Sequence, residues 1–597
     1  MIEDLKTGIS RWKSDAALAF GVALVALSVN AATGFGTLSD YRGDNDSLLR
    51  LVQTRDLLAG QGWYDMTQYR MGLDGGFAMH WSRLVDAPIA AIILVASLVT
   101  GSAAIAETTA LILWPMLMFA AAVYFLLRIA RMFGGQSAVL PAVAIGGSAL
   151  HFIGNFSPGG LDHHNVQLTA CLACLYYLMQ AQGNARAALL SGACAAIMLA
   201  VGMETAPYVA TVGICAAALF LFGGDEERQA AQGFGCGFAG VAALAFVATV
   251  PASAWGQTQC DAFSLAHFVL AGIAGCGLAA IASVDALRAT RGRRIAALGV
   301  LALGVASVAF MAFPQCLSAP FADLDSRLKV NWLDHVSEAQ SLFQIIMEDP
   351  AQVAARYGTP LLALVLLALR FWRGDWRRQD FCVGALMLAA FLVSVWQVRG
   401  SVFSISLAVI PLSAWVGDWR RRAETSPSPR VSAKMVAVWL VSVNAIWTGA
   451  AGAAASAFEN KISDEKKTSS CEAEKAFSTL ARLSPANVLA VSNLGSPILA
   501  YTGHHAFSGP YHRNIDGNLL AMDAFMGSPA QARRIVERHR VGLVALCPGN
   551  AESALFARRA PDGFAAILMR GEVPDWLEIM PETSSEPLRL YRVVEPG

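Results

Sequence analysis

The sequence predicts a polytopic α-helical membrane protein with a C-terminal extracytoplasmic α/β domain, and three observations lead there. Hydrophobic residues fill 55% of the 597 positions and charged residues only 15%, with positive mean hydropathy, more apolar than a soluble globular chain. Long apolar runs recur up to residue 456, and from 457 to 597 the composition turns mixed and charged. Formal net charge is zero, so no field draws the chain to nucleic acid.

A span needs roughly 17–25 apolar residues, and short loops rich in Lys and Arg face the cytoplasm. Runs at 16–37, 105–127, 137–154, 166–182, 188–204, 207–222, 233–253, 263–285, 295–314, 358–372, 381–397, 401–418 and 435–456 predict thirteen spans. The leading MIEDLKTGISRWKSD carries mixed charge with no small-residue cleavage site after it, so the first run reads as a retained span. With the amino terminus inside, the basic loops RATRGRR, RFWRGDWRRQ and DWRRRAETSPSPR are all cytoplasmic. Pro88–Thr100 is apolar but short, and counting it as a span would invert every later loop. It reads as re-entrant or packed at the outer interface, with a short true span as the alternative.

This topology leaves loops 38–87, 154–165 and 315–357 outside, together with the C-terminal domain. The expected location is a bacterial inner membrane with that domain in the periplasm. After the linker ENKISDEKKTSS, a helix at Cys471–Leu483, a strand at Asn487–Val491, a helix at Ser528–His539, a strand at Gly542–Cys547 and a last strand at Leu588–Val594 suggest a small α/β module that folds on its own. Four of the eleven cysteines fall outside, and pairing within each part would join 260 to 316 and 471 to 547. Cys171 and Cys174 lie in an apolar helix with no further ligand near, which favours packing over metal or redox work.

Chemistry concentrates in the outer loops. Asp44 and Asp46 precede an amphipathic helix, Ser47–Leu58, that Asp46 or Ser47 would cap. SPGGLDHHN supplies Asp162, His163 and His164, and NWLDHVSEAQSLFQ supplies Asp334, His335 and Glu338. Carboxylates and imidazoles from separate loops suit Mg²⁺ or Mn²⁺, which take a few protein groups plus substrate phosphate oxygens. Arg399 stands at the outward end of the eleventh span, where a lipid phosphate would lie, or snorkels there. Glu204 lies near the same surface and either joins the cavity or ends a helix before Pro207.

These motifs, in this order and on one face, resemble the catalytic subunit of oligosaccharyltransferase and, more broadly, the GT-C glycosyltransferases. Asp46 stands ten residues before the Asp of RDLLAG, as the family's first-loop aspartate does before a similar stretch. SPGGLDHHN is similar to the second-loop D-x-D or D-x-E motif, with His164 in place of its second acid. HVSEAQ resembles S-V-S-E-H-Q with Glu338 on the glutamate, and RGSVF resembles the segment holding the donor phosphates through Arg399. The departure falls at the sequon-reading W-W-D-Y-G, where Val491–Gly495 keeps only the glycine. GHHAFSGPYHRN, with His504, His505, Tyr511, His512 and Arg513, is the cluster offered as a replacement substrate contact, or else is a surface turn.

The resemblance implies a GT-C-like fold and transfer of a sugar or oligosaccharide from a polyprenyl-phosphate or -pyrophosphate carrier to an extracytoplasmic glycan, lipid or protein acceptor. It casts Asp46, Asp162 and Glu338 as catalytic and, with His164, as holders of a divalent cation, Mn²⁺ or Mg²⁺. Arg399 would bind the donor phosphate, and Asp44, His163 and Glu204 would contact substrate. Asp46 is the expected base in an inverting displacement. A transporter or flippase of lipid-linked glycans would instead predict repeated halves and broken helices, and a non-catalytic glycan-binding relative would tolerate changes at Asp46.

Overall fold

The computed structural model describes residues 2–41, 44–318, 321–322, 324–458 and 471–594; the linker at 459–470 lies outside them. The chain is a polytopic helical bundle capped at one end by external loops and a C-terminal α/β unit. Among the described residues nine helical stretches are long and apolar enough to cross a membrane, or ten with the bent pair Pro429–Val441 and Asn444–Ala453. The sequence suggested thirteen. The runs at 137–154, 166–182 and 188–204 fold as helices Val139–Phe152, His164–Met179 and Ala185–Val201, of 14, 16 and 17 residues, and the runs at 207–222 and 233–253 fall in one apolar stretch broken at Gly224–Glu227. Ser401–Thr425 is the central helix, buried almost throughout its apolar length, whereas Arg291–Ala312 buries no residue and stands outermost.

Small residues let the helices approach. A Cβ on Gly192 would meet Phe234 O at 2.1 Å and one on Gly237 would meet Leu189 O at 2.1 Å, so Ala185–Val201 and Arg228–Thr249 touch backbone to backbone, as bilayer helices often do. The loops expected on the cytoplasmic side gather at one end through buried ion pairs. Asp15 takes Arg128 (3.3 Å) and Arg131, Glu227 takes Arg378 (2.5 Å), and Asp380 takes Arg370 (3.2 Å) and Arg377 (2.9 Å).

The apolar run at Pro88–Thr100 is the larger part of an 18-residue helix, Arg83–Thr100, which passes as a span by length and composition. One face of it packs against the next helix. Val85, Ile89 and Ile93 lie against Ala106, Ala110 and Trp114 of helix Ala103–Gly134, and that segment stands level with the external loops. There Leu111 O accepts from Gly159 N (2.8 Å), and Glu107 pairs with Arg55 (2.7 Å), which also donates to Ala500 O of the C-terminal unit (2.6 Å).

The C-terminal unit holds a five-stranded sheet ordered His505–Ala506, Asn487–Leu489, Val541–Leu546, Arg589–Val593, Leu577–Ile579, parallel across the first three strands and antiparallel beyond. Helix Pro529–Arg538 and three of these strands lie where the sequence predicts them, but Cys471–Leu483 forms two short 3₁₀ turns, Glu474–Phe477 and Leu480–Arg482. The unit does not close its own core. Leu48, Leu49, Val52, Met71, Phe77 and Trp81 of the first external loop share one apolar cluster with Val488, Leu499, Phe525 and Leu546. Arg70 donates to Leu499 O (3.0 Å) and Thr502 O (3.1 Å), carbonyls that helix Gly495–Tyr501 leaves open at its end. Two disulfides form, Cys260–Cys316 (Cα–Cα 5.1 Å) and Cys471–Cys547 (6.3 Å), the pairing expected from sequence.

Candidate active site

The site is built on the first turn of helix Asn45–Leu58. Asp44, and not Asp46 or Ser47 as the sequence suggested, is the N-cap: it accepts from Ser47 N (3.0 Å) and Ser47 Oγ (2.6 Å). That leaves Asp46, in the first helical turn, free of capping duty. Ser47 Oγ in turn accepts from Leu161 N (2.9 Å) and Asp162 N (3.1 Å), so one hydroxyl fixes the second loop against the first.

His163 is the hub. Its Nδ1 lies 2.6 Å from Asp162 and its Nε2 2.5 Å from Glu204, and His164 stands 3.7 Å from Asp162 and 3.5 Å from Glu204. Burial opposes a charge on His163, but the Asp162 and Glu204 carboxylates outweigh it and push its pKa up to about 10. Despite burial, His163 and His164 hold Asp162 well below the usual carboxylate range. Beneath them lies Arg50, wholly buried, paired with Asp86 at 2.7 Å, 3.4 Å from His163 and 4.4 Å over the Trp81 ring. Arg83 completes the layer with Asp86 at 3.1 Å.

Asp46 contrasts with Asp162. Burial and then the Asp162, Glu338 and Asp44 carboxylates push it well above the ordinary value, and burial with Asp162 raises Asp44 to about 6. Asp162 and Glu338, from two other loops, therefore sit close enough to oppose ionisation of Asp46, and a divalent cation relieves such a conflict. The donor set fits one: Asp162, His163 and His164 offer ligand atoms within 4.8 Å of one another. Both nitrogens of His163 already face carboxylates, so His164 is the better imidazole ligand.

Glu338 is exposed on a short 3₁₀ turn, Ser337–Ala339, and its loop is tied to the bundle where Val398 N donates to Gln340 O (2.8 Å). Arg399 follows directly, half-buried, bonded to Gln397 Oε1 (2.9 Å) and near enough for its charge to reach Glu204. The structure thus gathers Asp44, Asp46, Asp162, His163, His164, Glu204, Glu338 and Arg399.

The C-terminal cluster divides. Tyr511 wedges between Phe77 and Trp81, its hydroxyl on Asn45 O (3.1 Å), within electrostatic reach of Asp46. His512 and Arg513 bind Asp261, each at 2.7 Å, beside the site. His504 is a core histidine, bonded through Nδ1 to Ala486 N (2.9 Å) and through Nε2 to Leu480 O (2.9 Å), and His505 lies on the edge strand beside Arg70 and Asp74. Neither reaches the acids: the sheet needs His504 to satisfy its loop. Asp334 and His335 also stay apart, and His335 faces Arg559 at 3.3 Å. The stretch replacing the sequon reader is packed shut, with Val491, Ser492 and Leu494 buried and Ser492 and Asn493 held by Glu552 (2.8 and 3.0 Å).

Sequence reading missed Arg50, Trp81, Asp86 and Asp261. Arg50 had a signal, being the one charge inside the apolar run Leu48–Val52; the other three take their meaning from contacts that spacing does not encode.

No protein-family model matches the sequence, and no curated protein does. Solved structures do match in fold. The archaeal oligosaccharyltransferase AglB of Archaeoglobus fulgidus, in complex with an inhibitory peptide and a dolichol-phosphate, superposes with a TM-score of 0.67 at 12% identity over 98% of this chain and 74% of that one. The Archaeoglobus fulgidus oligosaccharyltransferase tethered to an acceptor peptide with an NVT sequon gives 0.65 at 12% over 97% and 74%. Its complex with Zn and sulfate gives 0.60 at 11% over 92% and 70%. From the bundle to the C-terminal sheet, this chain shares the fold of that archaeal oligosaccharyltransferase.

Proposed function

We propose that the protein is a membrane glycosyltransferase that moves a sugar or oligosaccharide from a polyprenyl-phosphate or -pyrophosphate carrier to an extracytoplasmic acceptor. Residues 1–456 would form the transmembrane and catalytic part and 457–597 a periplasmic domain of a bacterial inner-membrane enzyme. The observation that carries this reading is the convergence of Asp46, Asp162 and Glu338 from three loops, beside Arg399. Asp46, Asp162, His164 and Glu338 would hold Mn²⁺ or Mg²⁺, which would supply positive charge where the leaving phosphate develops negative charge. Arg399 offers a guanidinium fork to the same phosphate. The acceptor hydroxyl oxygen forms its bond to the anomeric carbon as the bond to the phosphate oxygen breaks, the phosphate keeping the electron pair and inverting that centre. Asp46 takes the hydroxyl proton. His163, held cationic between Asp162 and Glu204, keeps those two carboxylates oriented.

The test is release of polyprenyl phosphate or pyrophosphate from a native lipid-linked glycan pool by the detergent-purified protein, with and without Mn²⁺ or Mg²⁺. Cation-dependent release that Asp46→Ala abolishes in a folded variant supports the proposal. Equal release by both proteins sinks the assignment of Asp46.

A further inference from the structure

Behind Trp81, on the side away from Arg50, the first loop, the end of helix Arg228–Thr249 and the segment 257–264 enclose a cavity of about 210 Å³. Its walls are fixed. Trp63 Nε1 donates to Ala248 O (2.6 Å) and Tyr64 Oη to Val247 O (3.0 Å), strapping the first loop across the helix end. Cys260–Cys316 anchors the opposite wall, and Arg513 clamps Asp261 with two bonds of 2.7 Å while reaching Gln259 at 3.0 Å.

The lining combines aromatic rings, Tyr64 and Trp81, with neutral hydrogen-bonding groups, Gln257, Gln259 and His80. Positive charge is cancelled where it occurs, because Asp261 neutralises Arg513, while Asp65 stays ionised, accepting from Thr67 N (3.0 Å) and Tyr69 Oη (2.9 Å). Burial holds the His80 imidazole well below its ordinary value, hence uncharged, and its Nδ1 is buried with no hydrogen bond among the described residues. His80, Asp261 and His512 also present ligand atoms within 4.8 Å, but the guanidinium fork already occupies both oxygens of Asp261, which disfavours a cation there. A phosphate or carboxylate finds no free positive charge. What matches rings beside planar amides in a pocket with no free positive charge is a saccharide, whose C–H face lies on an aromatic ring while its hydroxyls pair with amides, imidazole and carboxylate.

We infer that this cavity is the subsite for an acceptor saccharide. The inference rests on the glycosyltransferase reading and commits its acceptor to a glycan. Two features direct it that way. The cavity shares Trp81 with the catalytic cluster, since that ring lines the cavity, carries Arg50 on its face at 4.4 Å and lies 6.1 Å from the His163 ring. The segment that would read a peptide sequon is buried and held by Glu552. A saccharide seated against Trp81 would extend a hydroxyl past that ring toward Asp46.

The test applies the full-length protein in detergent to an array of immobilised hexoses, hexosamines, pentoses and their short oligomers. Wild-type protein is expected to retain one saccharide class. Gln257→Ala with Gln259→Ala, which removes two exposed amides and one bond from Arg513 while leaving the Arg513–Asp261 pair, should lower retention about tenfold, and Ala262→Trp, which fills the cavity, should abolish it, with melting curves confirming that both fold. Retention of no saccharide, equal retention by the variants, or displacement of bound saccharide by an N-x-T peptide overturns the inference. Release of polyprenyl phosphate is measured on the same wild-type preparation: its absence alongside saccharide retention sinks the catalytic reading and leaves the subsite standing, and its presence without retention does the reverse.

Discussion

Two ends of the same bundle handle carboxylates in opposite ways. At the end where the basic loops gather, Asp15 and Asp380 each meet two arginines and Glu227 meets one. At the other end Asp44, Asp46, Asp162 and Glu338 crowd one another with two histidines between them, and the nearest buried arginine, Arg50, is committed to Asp86. Paired acids hold helices together. Acids left in excess cost stability and are expected where a cation or a substrate completes them.

The sharpest way to break the comparison is Asp46→Asn. Removing one charge from the crowded end should lower turnover about 10⁴-fold, while the melting temperature in cation-free buffer holds or rises because repulsion is relieved. A fall in melting temperature would make Asp46 an ordinary structural acid.

The matching change at the other end is Asp15→Ala. It strands Arg128 and Arg131 and should cost roughly 3–4 kcal/mol of stability, read by denaturant unfolding in detergent, with turnover per folded molecule unchanged. Loss of turnover without loss of stability would erase the distinction between the two ends. Between these lies the effect of the cation. Mn²⁺ at about a hundred times its dissociation constant should stabilise the wild type by about 2.7 kcal/mol, and Asp162→Asn should remove most of that gain; equal stabilisation of both proteins would move the cation off this cluster.

How far the sequence carried the reading follows from the same contrast. Periodicity and basic-loop bias are local properties, so the bundle, the grouping of loops at two ends and the strands around Val541–Leu546 were legible. The short motifs at Asp46, Asp162, Glu338 and Arg399 were legible because each sits at a loop's junction with a helix, and the fold brings junctions together. Helix Arg83–Thr100 was shortened in reading because Arg83 and Asp86 interrupt its hydropathy, though they are neutralised by each other and by Arg50. The independence of the C-terminal unit was misread because its core is completed by Leu48, Val52 and Trp81, more than 400 positions earlier in the chain. The roles of His504 and His512 were not separable at all: one binds its own loop and the other a distant aspartate.

That distant aspartate gives the smallest expected effect. Asp261 joins the membrane part to the C-terminal unit through His512 and Arg513, and although burial opposes its charge, those two partners hold its carboxyl far below the usual range. A depressed folded-state pKa contributes stability that is present above the unfolded value of about 3.9 and is lost as pH falls toward the folded value. Asp261 is about one-third exposed, so solvent screens the pair and Asp261→Asn should cost only roughly 1 kcal/mol at pH 7. The gap between variant and wild type should hold down to about pH 4 and narrow progressively below it, as the unfolded carboxyl takes up its proton. A stability gap that stays constant from pH 7 down to pH 3 would mean that Asp261 acts by shape and hydrogen bonding, like the paired end's backbone contacts, and not by its charge.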